Sequence, residues 1–423
     1  MDVGAAGKAV AAALVAALVL AAGPARAQGT AEELPAGPGV IAPEAAEATS
    51  EPREPLAMQL EAMREDWGLP ALAAAIIQDG TIVQAATAGR RAVGSEALVT
   101  LDDPWHLGSC GKAMTATVIA RLVERGTLSW TTPLASVFPD WTVHTDFEAV
   151  TIEQLLAHRA GLPEYPDSAM MQRTAVPAGA LTAIRADVAR QAIQAPAQQR
   201  GGSRFFYSNL GYVVAAAVAE RLTGKAWETL MEEELFEPLG LASAGFGAPG
   251  IPADAAAPGG PPLPFGHRRA FPAILGFSPV PPGNAADNPA FMAPAGTIHM
   301  SLRDWAAFII DQMEGDLGRG TLLADRASYL TLHAPRGMGE GRFAYALGWS
   351  VRRSVADGQR LTLWHAGSNQ HWFAVATMDL EWRFAVLVAT NAGGQDARDA
   401  VAIATDTLIQ DYAPGLAQPV PAQ

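Results

Sequence analysis

The sequence predicts a mixed α/β fold of the α+β kind: one antiparallel sheet built from both chain ends and flanked by helices, with an all-helical subdomain inserted between them. Three observations carry this. Strand-type runs cluster near residues 72–88 and 345–390, helix-type periodicity fills the stretch between, and no internal repeat divides the chain. The 423 residues are 49% hydrophobic and 17% charged, enough apolar material to bury a large core and too much for a disordered chain.

The first 27 residues read as an export signal. Lys8 precedes an apolar run from Ala9 to Ala22, and Ala25-Arg26-Ala27 has the small-x-small form of a cleavage site. That run is shorter than the roughly 20 residues a membrane-spanning helix needs. Residues 28–55, rich in Ala, Pro, Glu and Gly without apolar periodicity, read as a flexible linker. The folded body is expected over 56–412, with sheet parts at 56–128 and 300–412, a helical insertion at 129–299, and a tail at 413–423.

Within the body a helix is predicted from Leu56 to Asp66. Two β-rich runs follow, Leu72 to Gln78 and Thr81 to Ala88, joined by Asp79-Gly80, a strong hairpin signal. Ser109 to Glu124 reads as a helix: Met114, Val118 and Leu122 recur every four residues, and Gly126 stops it. Helices are also expected at Ile152 to His158, Leu210 to Leu222 and Leu302 to Met313. The stretch from Pro249 to Pro294 holds 12 of the 31 prolines and reads as an irregular connection. Four strand runs follow, Tyr345 to Val351, Leu361 to His365, Trp372 to Met378 and Phe384 to Thr390, and a last helix runs from Asp396 to Ile409.

The charge balance is acidic, with 29 Lys+Arg against 43 Asp+Glu and a net charge of -14. Such a field repels phosphate backbones and argues against a nucleic-acid partner. Cys110 is the sole cysteine, so an internal disulfide is excluded; a buried, inert thiol is expected. Among eight histidines none forms an i, i+4 pair and H-E-x-x-H is absent, so neither a metal nor another cofactor is indicated. The residue two before Ser109 is Leu107, which excludes a G-x-S-x-G hydrolase.

Three separated motifs carry the chemistry. Ser109-Cys110-Gly111-Lys112 places Ser109 and Lys112 one helical turn apart on one face. Only three lysines occur in the chain, Lys8, Lys112 and Lys225, so the pairing is informative. A desolvated lysine loses its proton more readily and can activate a serine hydroxyl. Tyr207-Ser208-Asn209 supplies a phenol that a nearby cation can help titrate, and an amide that can both donate and accept. His365-Ala366-Gly367, followed by Ser368, ends a strand. Gly367 permits close backbone approach, and the N–H of Ser368 is a candidate oxyanion donor together with that of Ser109. His365 could anchor a carboxylate or polarise Tyr207.

The order and context of these motifs resemble the penicillin-binding protein and class C β-lactamase superfamily of serine hydrolases. Flanking phrases extend the resemblance from about Leu56 to Ile409: Trp105-His106-Leu107-Gly108-Ser109, Thr151-Ile152-Glu153-Gln154-Leu155-Leu156, His158-Arg159-Ala160-Gly161-Leu162-Pro163, Pro294-Ala295-Gly296 and Leu347-Gly348-Trp349. The resemblance implies that Ser109 is the acylated nucleophile, Lys112 its proton partner, Tyr207 the general base or acid, and Asn209 a ligand of the substrate amide. His365 stands where the β-lactamases carry the lysine of Lys-Thr-Gly, as in D-aminopeptidases and many esterases of the superfamily.

The expected function is therefore an exported, periplasmic or secreted, serine hydrolase acting on a D-amino-acid peptide or a carboxylic ester ahead of a β-lactam. A true β-lactamase, or a penicillin- or peptide-binding protein without turnover, are the alternatives. Small molecules or peptides are the expected partners, with no membrane span left after signal cleavage. A neutral His365 bonded to Tyr207 would make activity climb between about pH 5.5 and 7.5.

Overall fold

The computed structural model describes residues 54–172, 178–199, 204–251, 259–271, 276–283, 285–337, 343–353 and 360–416. The export segment and nearly all of the linker lie outside these residues. In chain order the main elements are α1 (Leu56–Trp67), β1 (Ala71–Gln78), β2 (Thr81–Gly89), β3 (Trp105–His106), α2 (Gly111–Glu124), α3 (Ile152–Leu156), α4 (Leu181–Gln194) and α5 (Asn209–Thr223). There follow β4 (Gly245–Phe246), β5 (Gly266–Arg269), β6 (Phe277–Val280), β7 (Ile298–Met300), α6 (Leu302–Asp316) and α7 (Arg326–His333). The chain closes with β8 (Phe343–Tyr345), β9 (Ser350–Arg353), β10 (Leu361–Ser368), β11 (Phe373–Asp379), β12 (Phe384–Thr390) and α8 (Gln395–Tyr412).

Seven strands form one antiparallel sheet in the order β2-β1-β12-β11-β10-β9-β8, so strands from the two ends of the chain pair inside it. There Leu72 pairs with Thr390, and the register runs to Gln78 opposite Phe384. The β1–β2 hairpin turns at Asp79 and Gly80, both with positive φ (51° and 76°), as a two-residue turn matched to strand twist requires.

The apolar runs in β1 and β12 are continuous because both faces of the sheet are covered. Successive side chains alternate between faces. Ala73, Ala75 and Ile77 join the larger core with Ala376, Leu387 and the central helices. Leu72, Ala74 and Ile76 pack with Val386 and Val388 against Leu56 and Leu60 of α1 and Val401 and Leu408 of α8. Among the described residues no helix is long and apolar enough to cross a membrane.

Local departures from the sequence expectation have identifiable causes. The run Tyr345 to Val351 is split into β8 and β9 by a turn at Ala346–Trp349, where Ala346 N–H donates to Trp349 O (2.8 Å) and Gly348 takes φ 85°. The helix expected to reach His158 ends at Leu156, since His158 adopts a left-handed conformation, φ 56°. The inserted stretch is not purely helical. Inside the proline-rich connection β5 and β6 pair, with Pro279 opposite His267 in a two-stranded ribbon that tolerates proline. A second small sheet, β3-β7-β4, hangs the segment before Ser109 on Ile298–Met300.

Candidate active site

The turn that carries Ser109 is built by backbone contact. After β3, Leu107 N–H donates to Ile298 O (2.9 Å), and Gly108 takes φ 51° to start a 3₁₀ turn, Gly108–Cys110, that leads into α2. A Cβ on Gly108 would stand 2.2 Å from the nitrogen of Ser368. One on Gly367 would stand 2.0 Å from Leu107 O and 2.6 Å from the nitrogen of Ser109. Neither position has room for a side chain. The N–H groups of Ser109 and Ser368, the two candidate oxyanion donors, thus flank one close contact between the turn and β10.

Lys112 lies in the first turn of α2 and is wholly buried. Its Nζ contacts three acceptors: Ser109 Oγ at 2.9 Å, Asn209 Oδ1 at 2.7 Å and the Ala295 carbonyl at 2.5 Å. Burial pushes its pKa down to about 7, partly opposed by Cys110 and Glu164. The geometry fixes what a neutral amine does here. Asn209 Oδ1 and Ala295 O can only accept, so they take its two N–H bonds and the lone pair is left for Ser109.

Tyr207 reaches the same oxygen from another element, its hydroxyl donating to Ser109 Oγ at 3.0 Å. It precedes α5, whose N-cap is Ser208: Ser208 Oγ accepts from Gly211 N–H (3.0 Å) and donates to Pro163 O (2.6 Å). His158 holds this segment. Its Nδ1 accepts from Ser208 N–H (3.0 Å), its carbonyl accepts from Phe206 N–H (2.8 Å), and its ring lies 4.3 Å from that of Tyr207. Burial raises the Tyr207 pKa well above the usual phenol value, and the bond to Ser109 opposes this only in part. Toward Ser109 the phenol is thus placed as a proton donor.

Two further residues are placed differently from expectation. The Asn209 amide is turned to Lys112 through its oxygen, and its other end bonds the Tyr165 hydroxyl. His365 does not meet Tyr207. Its Nδ1 faces the Ala366 carbonyl at 2.7 Å, which can only accept, so Nδ1 carries the proton and Nε2 accepts from the Tyr345 hydroxyl at 2.9 Å. Burial first, and the Lys112 charge second, push the His365 pKa down to about 3. A neutral, doubly bonded ring cannot anchor a carboxylate as a cation. Cys110 is buried, its Sγ donates to His365 O (3.3 Å), and burial pushes its thiol up to about 12.

Ser109, Tyr207, Asn209, His365, Gly367 and Ser368 all line one open cleft of about 200 Å³. Its walls are aromatic, with Tyr165, Phe205, Trp364 and Phe373, and it also carries Glu164 and Arg398. Sequence reasoning singled out neither His158, Tyr345 nor the Ala295 carbonyl as site groups. Two of the three lay inside phrases already notable, His158 to Pro163 and Pro294-Ala295-Gly296. Tyr345 carried no signal.

This architecture matches known proteins. The Beta-lactamase family model covers residues 59–410. Penicillin-binding protein 4 of Amycolatopsis lactamdurans is 30% identical over 193 residues, 43% of this chain and 46% of that protein. An unguisins hydrolase of Aspergillus campestris is 26% identical over 306 residues, 69% of this chain and 53% of that protein. The chain thus spans about half the length of these relatives. The octameric penicillin-binding protein homologue from Pyrococcus abyssi superposes with a TM-score of 0.67 at 22% identity, covering 83% of this chain and 77% of that one. With the family pattern running across nearly all of the folded body, this chain belongs to the Beta-lactamase family, a family of serine hydrolases.

Proposed function

We propose that the protein is an exported serine hydrolase that cleaves an amide or ester through an acyl-enzyme on Ser109. One observation carries the reading: Ser109 Oγ sits between Lys112 Nζ (2.9 Å) and the Tyr207 hydroxyl (3.0 Å). In this reading the Lys112 lone pair takes the Ser109 proton as Oγ attacks the substrate carbonyl. The developing oxyanion is held by the N–H groups of Ser109 and Ser368. Tyr207 then gives its proton to the leaving amine or alcohol as the carbon–heteroatom bond breaks, and the Lys112 ammonium restores that proton. Water enters the acyl-enzyme along the reverse course and releases the acid.

The neutral His365 supports an ester or D-amino-acid peptide ahead of a β-lactam, since the point charge of a lysine is missing from that position. A peptide ending in a free carboxylate has a partner in Arg398, the sole cation among the residues lining the cleft. Its buried Nε has no hydrogen-bond partner among the described residues.

Intact mass after treatment with a fluorophosphonate or a penicillin is expected to show a single adduct, absent in Ser109→Ala. An adduct that persists in that variant would overturn the assignment. A stable adduct without turnover of any ester dye would favour the binding-protein reading. Export rests on the Lys8, Ala9–Ala22 and Ala25-Arg26-Ala27 pattern. N-terminal sequencing of the protein recovered outside the cytoplasm should begin at Gln28, and a full-length membrane-bound species would contradict this.

A further inference from the structure

A buried polar chain connects the two segments that carry the candidate oxyanion donors. His106, two residues before the nucleophile turn, has no exposed surface. Its Nδ1 accepts from the N–H of Gly108 at 3.2 Å, so its proton sits on Nε2, which faces Asp287 Oδ2 at 2.8 Å. The other oxygen of Asp287 accepts from Asn369 Nδ2 at 3.0 Å and from Asn288 N–H at 2.7 Å. Asn369 directly follows Ser368, and its Oδ1 accepts from the N–H groups of His371 and Trp372, both at 3.1 Å. Asn288, next to Asp287, lines the recess that holds Ser109 and Ser368.

We propose that Asp287, His106 and Asn369 are positioning residues that hold the Ser109 and Ser368 N–H groups on one point. This deepens the hydrolase reading and rests on Ser109 being its nucleophile. The carboxylate is suited to the task because every group it meets is a donor: an imidazole N–H, an amide N–H and a backbone N–H. Gly108 takes a left-handed conformation with a backbone neighbour where its Cβ would be, so no side chain helps to keep it in place, and backbone packing and backbone hydrogen bonds must do so. The Gly108 N–H bond to His106 is one of these, and Asp287 keeps the ring in the tautomer that accepts it.

Asp287→Asn changes almost no volume but brings a donor where only acceptors fit. Either it faces His106 and forces the wrong tautomer, or it faces Asn369 and Asn288. Donors aimed at the oxyanion act in the transition state and contribute little to ground-state binding. The test compares wild type, Asp287→Asn, His106→Gln and Ser109→Ala, each checked for fold by circular dichroism. It measures kcat and KM on a short-chain nitrophenyl ester and the rate of phosphonylation by a fluorophosphonate.

The expected result is a fall of about 10²-fold in kcat and in phosphonylation rate, with KM within about twofold, in whichever of the two relay variants folds. A folded relay variant with unchanged kcat, or with a raised KM and unchanged kcat, overturns the proposal. Phosphonylation that survives in Ser109→Ala removes the nucleophile reading and takes this inference with it. Loss in the relay variants against a wild type labelled only at Ser109 separates the two.

Discussion

Lys112→Met is expected to lower kcat/KM by about 10⁴-fold, the upper end of what a general base contributes. Methionine fills the buried volume of the lysine stem, so the loss reads the amine and not a cavity. It leaves Asn209 Oδ1 and Ala295 O without their donor, and a small drop in melting temperature should accompany it. The same amine is expected to set the pH profile. Its folded pKa is depressed to about 7, and the neutral form is the base, so the active state exists above that value and is lost as pH falls through it. The wild-type kcat/KM should fall about tenfold per pH unit below 7 and level off above it.

His365 was the residue expected from sequence to produce such a rise. With its pKa pushed down to about 3 it is neutral across the whole window, and it bonds Tyr345 instead of Tyr207. His365→Asn should therefore leave the midpoint of the profile where it is. A midpoint that moves in His365→Asn and stays in a residually active Lys112 variant would reverse this assignment.

Tyr207→Phe is expected to cost about 10²–10³-fold, because it deletes the hydroxyl that donates to Ser109 Oγ and keeps the ring against His158. The loss should depend on the leaving group. A nitrophenolate departs without a proton and should lose least; an amide must release a basic amine and should lose most. Equal losses for both substrates would show that the phenol serves only to orient the serine.

The fold was legible because the helical stripe, the hairpin turn and the continuous apolar strand runs were each clean. The Asp79-Gly80 hairpin, the α2 stripe through Met114, Val118 and Leu122, and the β12 run Phe384–Thr390 each appear where their local chemistry puts them. Short strands were not legible. Trp105–His106 and Gly245–Phe246 have two residues each, and no period exists at that length. β5 and β6 were hidden by the prolines around them. In the candidate site, residue types and spacing brought Ser109, Lys112 and Tyr207 forward, but hydrogen-bond direction was out of reach. That Asn209 serves Lys112, and that Tyr345 occupies His365, follows from which atoms face each other, and spacing along a chain does not encode this.

The pairing of β1 with β12 has a consequence for how the protein is made. Roughly 300 residues separate the partner strands, about 15–60 s of synthesis at 5–20 residues per second. Throughout that interval the β1–β2 hairpin has left the ribosome without β12 and α8, so Leu72, Ala74 and Ile76 have only α1 to cover them. Its inner edge is also open, a template for any other unpaired strand in the cell. Ser109 and Lys112 emerge early too, yet the turn that carries them rests on Gly367 and Ser368, which are made near the end. A nascent chain arrested before β10 therefore holds Ser109 and Lys112 without the strand that their turn rests on.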